Sequence, residues 1–239
     1  MKSPSVKGDT VWTRHVIARG ETGTGRYTHG LGFFDMNGDG LPDVVITKGW
    51  WERPTDARTE NWVFHPADLG EDCAQMYQLD VLGNGVKDIV TSSAHRYGIW
   101  WHEPTADPRV WVHHLIDSSV SETHSLAMAD INGDGHPDLV TGKRYFAHNG
   151  EDPGAYEPST LYWFEYRPGV SGASGTGASG ASTASAAGAG AASEPAWIPH
   201  LIDSDSGVGL QVLVKDMNGD GKVDIVVANK KGLFWWEQR

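Results

Sequence analysis

A nine-residue acidic motif occurs four times along the chain, and no other feature limits its fold as strongly. The copies read Asp35-Met-Asn37-Gly-Asp39-Gly-Leu41-Pro-Asp43, Asp80-Val-Leu82-Gly-Asn84-Gly-Val-Lys-Asp88, Asp130-Ile-Asn132-Gly-Asp134-Gly-His136-Pro-Asp138 and Asp216-Met-Asn218-Gly-Asp220-Gly-Lys222-Val-Asp224. Each is followed by a short aliphatic run, such as Val44-Val45-Ile46. An aromatic segment ending in Glu comes next: Trp50-Trp51-Glu52, Trp100-Trp101-His102-Glu103, Tyr162-Trp163-Phe164-Glu165 and Trp235-Trp236-Glu237. A further column reads Trp-x-x-His and joins Trp12 to His15, Trp62 to His65, Trp111 to His114 and Trp197 to His200. All 11 tryptophans fall in these columns, so the chain has to be read first as a repeat array.

The Trp-x-x-His column recurs after 50 and 49 residues, then after 86. The long step holds a tract over 168–196, rich in Gly, Ala and Ser, expected to be a flexible insertion that buries nothing. A longer connection around 145–159 accounts for the rest. Each unit supplies about four short strands: one on each side of the acidic loop, the aromatic strand and the Trp-x-x-His strand. Four-stranded units at this spacing predict an all-β chain, a four-bladed β-propeller forming one domain over 1–239. One Trp-x-x-His segment, residues 12–17, precedes the first unit, and the last unit stops after its aromatic strand. The N-terminal strand is therefore expected to pair with the last blade and close the ring, removing exposed edges. Half of an eight-bladed ring built by two chains, or a stretch of a longer propeller, are the alternatives.

The Asp-x-Asn-x-Asp spacing puts three side-chain oxygens on one side of a tight turn, and Gly supplies the positive φ the turn needs. Hard oxygen donors in such a loop suit calcium. The expected ligands are Asp35, Asn37, Asp39, the carbonyl of Leu41, and Asp43; Asp130, Asn132, Asp134, the carbonyl of His136, and Asp138; and Asp216, Asn218, Asp220, the carbonyl of Lys222, and Asp224. The second loop keeps Asp80, Asn84 and Asp88 but has Leu82 in the Asn position, so it is expected to be weak or empty. An EF-hand would need Glu at position twelve, where Ile46, Thr91, Thr141 and Val227 stand. The alternative is that the loops are Asx-type turns satisfied by their own backbone. The net charge of −12 is concentrated here: without the 11 loop carboxylates it would be −1.

On these motifs the chain resembles the FG-GAP or VCBS repeat family, whose calcium-loop propellers occur in integrin α-subunits, lectins and some sugar-converting lyases and dehydratases. The resemblance covers residues 12–239 apart from the Gly/Ala/Ser tract. It implies the fold and bound Ca2+, but no particular activity, because propellers host many functions.

Residues that recur in every unit are packing devices first, so function is expected where the units differ. Before the loops, the first and third units carry His29 and His124, while the second and fourth carry Gln75 and Gln211 one position later. After the loops stand Lys48, Ser93, Lys143 and Asn229, with Arg144 and Lys230 next in the last two units. The far ends of the inner strands should meet at one mouth of a central channel. His29, His124, Lys48 and Lys143 are the expected catalytic or ligand-contacting residues. Gln75, Gln211, Asn229, Arg144, Lys230 and His95 are expected to bind ligand, with Arg96, Tyr145 and His148 at the rim.

Two function classes follow. One is a module binding a glycan or small anion; the other is a lyase, dehydratase or isomerase acting on a sugar or sugar acid through His and Lys. A structural or protein-interaction propeller is the third, blander reading. The acidic balance speaks against nucleic acid, and no apolar run approaches the ~18 residues of a membrane helix. The single Cys73 excludes a multi-cysteine zinc site. The expected state is monomer or dimer. Calcium loops favour an extracytoplasmic place, although residues 1–9 do not read as a signal peptide.

Overall fold

The computed structural model describes residues 12–19, 23–169 and 194–239; the insertion expected over 168–196 therefore lies outside the described residues from 170 to 193. The described chain is all-β, with four antiparallel sheets that follow one another in sequence. The first holds β1 (Gly32–Phe34), β2 (Asp43–Ile46), β3 (Gly49–Glu52) and β4 (Val63–Pro66). The second holds β5 (Tyr77–Leu79), β6 (Asp88–Ser92), β7 (Tyr97–Pro104) and β8 (Trp111–Ser121). The third holds β9 (Leu126–Ala129), β10 (Asp138–Gly142), β11 (Leu161–Arg167) and β12 (Ala196–Asp203), and the fourth β13 (Val212–Lys215), β14 (Asp224–Asn229) and β15 (Gly232–Trp236). No helix among the described residues is long and apolar enough to cross a membrane.

The aliphatic runs after the acidic loops are the second strands, and their alternation stacks the sheets. Successive strand residues point to opposite faces. Ile89 of β6 joins the core against the first sheet, while its neighbour Val90 joins the core against the third. Leu139 and Val140 of β10 divide in the same way between the second and fourth sheets. Three cores result, one at each junction from the first sheet to the fourth. Polar links repeat the order: Gln78 Nε2 donates to the Asp35 carbonyl, Tyr166 Oη to the Val81 carbonyl and Gln238 Nε2 to the Ile131 carbonyl.

The outermost columns form one aromatic unit. Trp50 and His65 are direct cross-strand partners, so their rings stack with centroids 4.3 Å apart, and His65 Nε2 lies 2.7 Å from a Glu52 carboxylate oxygen. Trp101, His114 and Glu103 repeat this in the second sheet, as do Trp163, His200 and Glu165 in the third. Among the described residues no outer strand of the fourth sheet covers Trp235, which is 51% exposed against 5% for Trp50 and Trp101.

The expected pairing of residues 12–17 with the last sheet is corrected here. The segment is not a strand, and its carbonyls are engaged at the first sheet, where Asn61 N–H donates to Val16 and Trp62 N–H to Ile17. Those two amides precede β4 and gain acceptors there. The outer faces of the end sheets stay exposed, with Leu31 and Phe33 on one and Leu213 and Leu233 on the other.

A second histidine is buried beneath this framework. His102 on β7 is fully buried, its Nε2 lies 2.7 Å from the Thr91 hydroxyl, and its Nδ1 has no partner. Burial, and after it the neighbouring His113, pushes its pKa down to about 3. An unfolded histidine titrates near ~6.5. Because the folded value is depressed, the unfolded chain binds more protons between those limits. The His102 contribution is complete above about pH 6.5 and is lost as pH falls toward 3. Urea unfolding at about pH 7.5 and about pH 5 should show a smaller acid-induced loss in His102→Gln than in the parent. Equal losses would contradict this assignment.

Candidate functional site

The acidic loops lie at one end of the inner strands. In the first, Asp35 accepts backbone N–H groups from Asn37, Gly38, Asp39 and Gly40 at 2.7–3.2 Å, and Asp39 accepts the Leu41 N–H at 2.7 Å. The turn requires left-handed glycines, and Gly38 and Gly40 have φ of 80° and 81°. Asp130 with Asp134, and Asp216 with Asp220, repeat the pattern, with His136 and Lys222 donating their N–H to the fifth residue. Asn37, Asn132 and Asn218 turn their side-chain oxygens inward to accept the N–H of that same residue. Donors from Gly221 and then Gly219 hold the Asp216 carboxyl below its ordinary range. In the second loop Asp80 accepts only from Asn84 and Gly85.

The ninth-position carboxylates sit differently. Asp43, Asp138 and Asp224 are fully buried, and each takes two backbone N–H groups: Met36 and Arg53, Ile131 and Tyr166, Met217 and Gln238. Asp88 takes the Val81 N–H, and burial raises its pKa to about 6. These residues, expected as calcium ligands, tie the loop to the strand that follows.

The opposite end of the inner strands is the chemically distinctive one. His29 before β1, His95 in the β6–β7 turn and His124 before β9 bring candidate ligand nitrogens within 4.8 Å of one another. His29 Nε2 lies 2.9 Å from His95 Nε2, and the His124 ring centroid is 5.6 Å from both other rings. His29 Nδ1 lies 2.6 Å from the Tyr27 carbonyl. Burial lowers the His95 pKa and takes that of His124 to about 4, with Arg144 adding to the second shift.

The long connection after β10 completes the cluster. Its short 3-10 turn, His148–Gly150, brings His148 Nδ1 within 2.7 Å of Asp152, whose same oxygen lies 3.5 Å from His95 Nδ1. Phe146, His148 and Asn149 are all in the left-handed region, with φ of 44°, 44° and 57°. Such strain in non-glycine residues tends to gather at functional sites. Beside this loop, between the third and fourth sheets, a cavity of about 640 Å³ is lined by Arg144, Tyr145, His148, Gln211, Asn229 and Lys230 among others.

The other expected residues divide. The Arg144 side chain reaches the cavity with its Nε buried and without a hydrogen-bond partner. Asn229 is held at both ends, donating to the Ser206 carbonyl and accepting the Lys231 N–H, and Lys230 Nζ donates to the Phe146 carbonyl. Gln75 accepts the Leu126 N–H and so links the second and third sheets. Lys48 points to the Gly70 carbonyl. Lys143 is only 2% exposed, and its Nζ donates to Glu122 at 2.7 Å and to the Ala155 carbonyl at 3.2 Å, so its charge is spent inside the protein. Asp152 was not among the expected residues; the extra length of the connection around 145–159 was the signal for it, because functional groups concentrate on loops.

Residues 80–141 match the family of the FG-GAP-like repeat. The matched stretch runs from the second acidic loop through the third, covering β6 to β9 entire. No curated protein matches the sequence.

The Lys143 placement gives a direct test. Removing one partner of a buried ion pair leaves an uncompensated charge, at a cost of about 3–5 kcal/mol. Lys143→Met should lose stability on that order in denaturant unfolding, and Glu122→Gln added to it should recover much of the loss. A single variant as stable as the parent would contradict the buried pair.

Proposed function

We propose that the four sheets are blades of a β-propeller that binds calcium in its three regular acidic loops and a sugar-like or anionic small ligand in the cavity beside the histidine mouth. The observation that carries the ligand reading is Arg144. A guanidinium with a buried, unpartnered Nε on a cavity wall is costly unless something accepts from it. A carboxylate fits that fork bidentately. Gln211 lines the same cavity and offers hydrogen-bonding groups, as hydroxyl recognition needs.

For calcium, the support is the donor set. No described Lys, Arg or His pairs with Asp35, Asp39, Asp130, Asp134, Asp216 or Asp220 in an ion pair. The loops gather hard oxygens and negative charge on a preformed turn, which suits a flexible oxygen-coordinated cation.

A second reading has its own observation. The carboxylate of Asp152 holds His148 Nδ1 at 2.7 Å, and His148 lines the cavity. An imidazole oriented by a carboxylate is the arrangement of a general base. With Arg144 lining the same cavity, the pair would suit proton abstraction beside a carboxylate, as in lyase, dehydratase or isomerase chemistry on a sugar acid.

Calorimetric titration with uronic acids and the matching neutral sugars tests both readings. Binding should favour the acids, and Arg144→Gln should weaken it by at least ~10-fold, the worth of a charge-assisted hydrogen bond. If the acids turn over, His148→Gln should slow turnover by about 10²–10⁴ with little change in affinity. Equal affinity for acids in parent and Arg144→Gln would overturn the ligand reading. Excess chelator should lower the melting temperature, and by less in Asp134→Ala; an unchanged temperature would overturn the calcium reading.

A further inference from the structure

The tautomers of the histidine mouth conflict. A carbonyl oxygen only accepts, so the 2.6 Å contact with Tyr27 places the His29 proton on Nδ1 and leaves Nε2 as a bare lone pair. His95 Nδ1 faces the Asp152 carboxylate at 3.5 Å, which also favours a proton there and a bare Nε2. The two Nε2 atoms are 2.9 Å apart. Two lone pairs at that distance repel. Turning the His95 proton to Nε2 would set its Nδ1 lone pair against a carboxylate. A cation between the two nitrogens removes the conflict, keeps the His29 Nδ1 hydrogen bond and leaves His95 Nδ1 turned to Asp152.

We propose that His29, His95 and His124 form a transition-metal site for a divalent ion of the zinc type, with Asp152 orienting His95 from behind. At Zn–N distances of about 2.0–2.1 Å, nitrogens around a tetrahedral ion lie about 3.3 Å apart. The His29–His95 separation is already close to that. The third nitrogen lies within 4.8 Å, and His124 has a buried Nδ1 without a partner. Each imidazole comes from a different connection, so stacking of the first three sheets, not local sequence, fixes their separation. Neutral imidazoles without thiolate or multiple carboxylates suit zinc and its neighbours, not calcium. The carboxylate behind a ligand imidazole is the usual outer-shell partner of such sites. Three protein ligands leave a coordination position free, at a mouth that adjoins the cavity through His148.

This inference does not rest on the ligand reading, because metal binding is measured with no sugar present. The calcium-saturated full chain is titrated with Zn2+ and, separately, with Co2+, whose visible absorption reports coordination. After desalting, metal content is read by mass spectrometry. The expected result is one Zn2+ per chain, not displaced by calcium, with a tetrahedral Co2+ spectrum. His29→Gln and His124→Gln should each lose the retained ion and that spectrum while keeping the parent's circular dichroism. Asp152→Asn should retain the spectrum and weaken binding by about 10–100-fold. His113→Gln, away from the mouth, should bind like the parent. No retained zinc, or retention unaffected by His29→Gln, would overturn the site. Loss in His148→Gln but not in His29→Gln would do the same, by moving the ion to the His95, His148 and Asp152 group.

Discussion

A buried carboxylate that accepts two backbone N–H groups recurs at the end of three acidic loops, and the rest of the structure hangs from it. Asp138 takes one bond from Ile131, at the start of its loop, and one from Tyr166, on the neighbouring strand β11. Asp43 and Asp224 do the same. A carboxylate buried without such donors would be expensive; with them it clamps loop, second strand and third strand together. The clamp fixes the direction in which the inner strands leave the loop. It thereby sets where their other ends, and the histidine cluster, must lie.

From that end the sheets repeat with little freedom. The second strands are buried on both faces wherever a neighbour exists, and Leu139 and Val140 show the alternation. His29, His95 and His124 all stand at the ends of inner strands farthest from the acidic loops. Chain positions 29, 95 and 124 have no local relation, yet the repeat brings them to one place. The parts that recur in each unit build the frame, and the histidines that meet at the far end come from the parts that differ.

Much of this was legible in the residues. The Trp, His and Glu columns announced themselves by period alone, and the stacked Trp101–His114 pair with Glu103 explains why all three recur. His29 and His124 stood out by breaking the pattern. Lys143 broke it as well, but its partner Glu122 lies outside the repeat columns, and burial of the pair depends on packing that spacing does not carry. His95 read as a ligand-binding residue, but its turn gave no sign that it folds back onto His29. Asp152 lay hidden in an insertion whose path only the fold reveals. Residues 12–17 carry the outer-strand pattern, but the carbonyls of Val16 and Ile17 accept from the N–H groups of Asn61 and Trp62 instead, a choice of edge that pattern alone leaves undetermined.

The most direct measurement concerns the clamp itself, separated from any bound cation. Urea unfolding of the parent and Asp138→Asn should be compared in excess chelator. An amide replaces one acceptor by a donor facing a backbone N–H, so the variant should lose on the order of 3 kcal/mol even without calcium. A variant as stable as the parent under those conditions would contradict the account, because the ninth-position carboxylate would then matter only as a metal ligand.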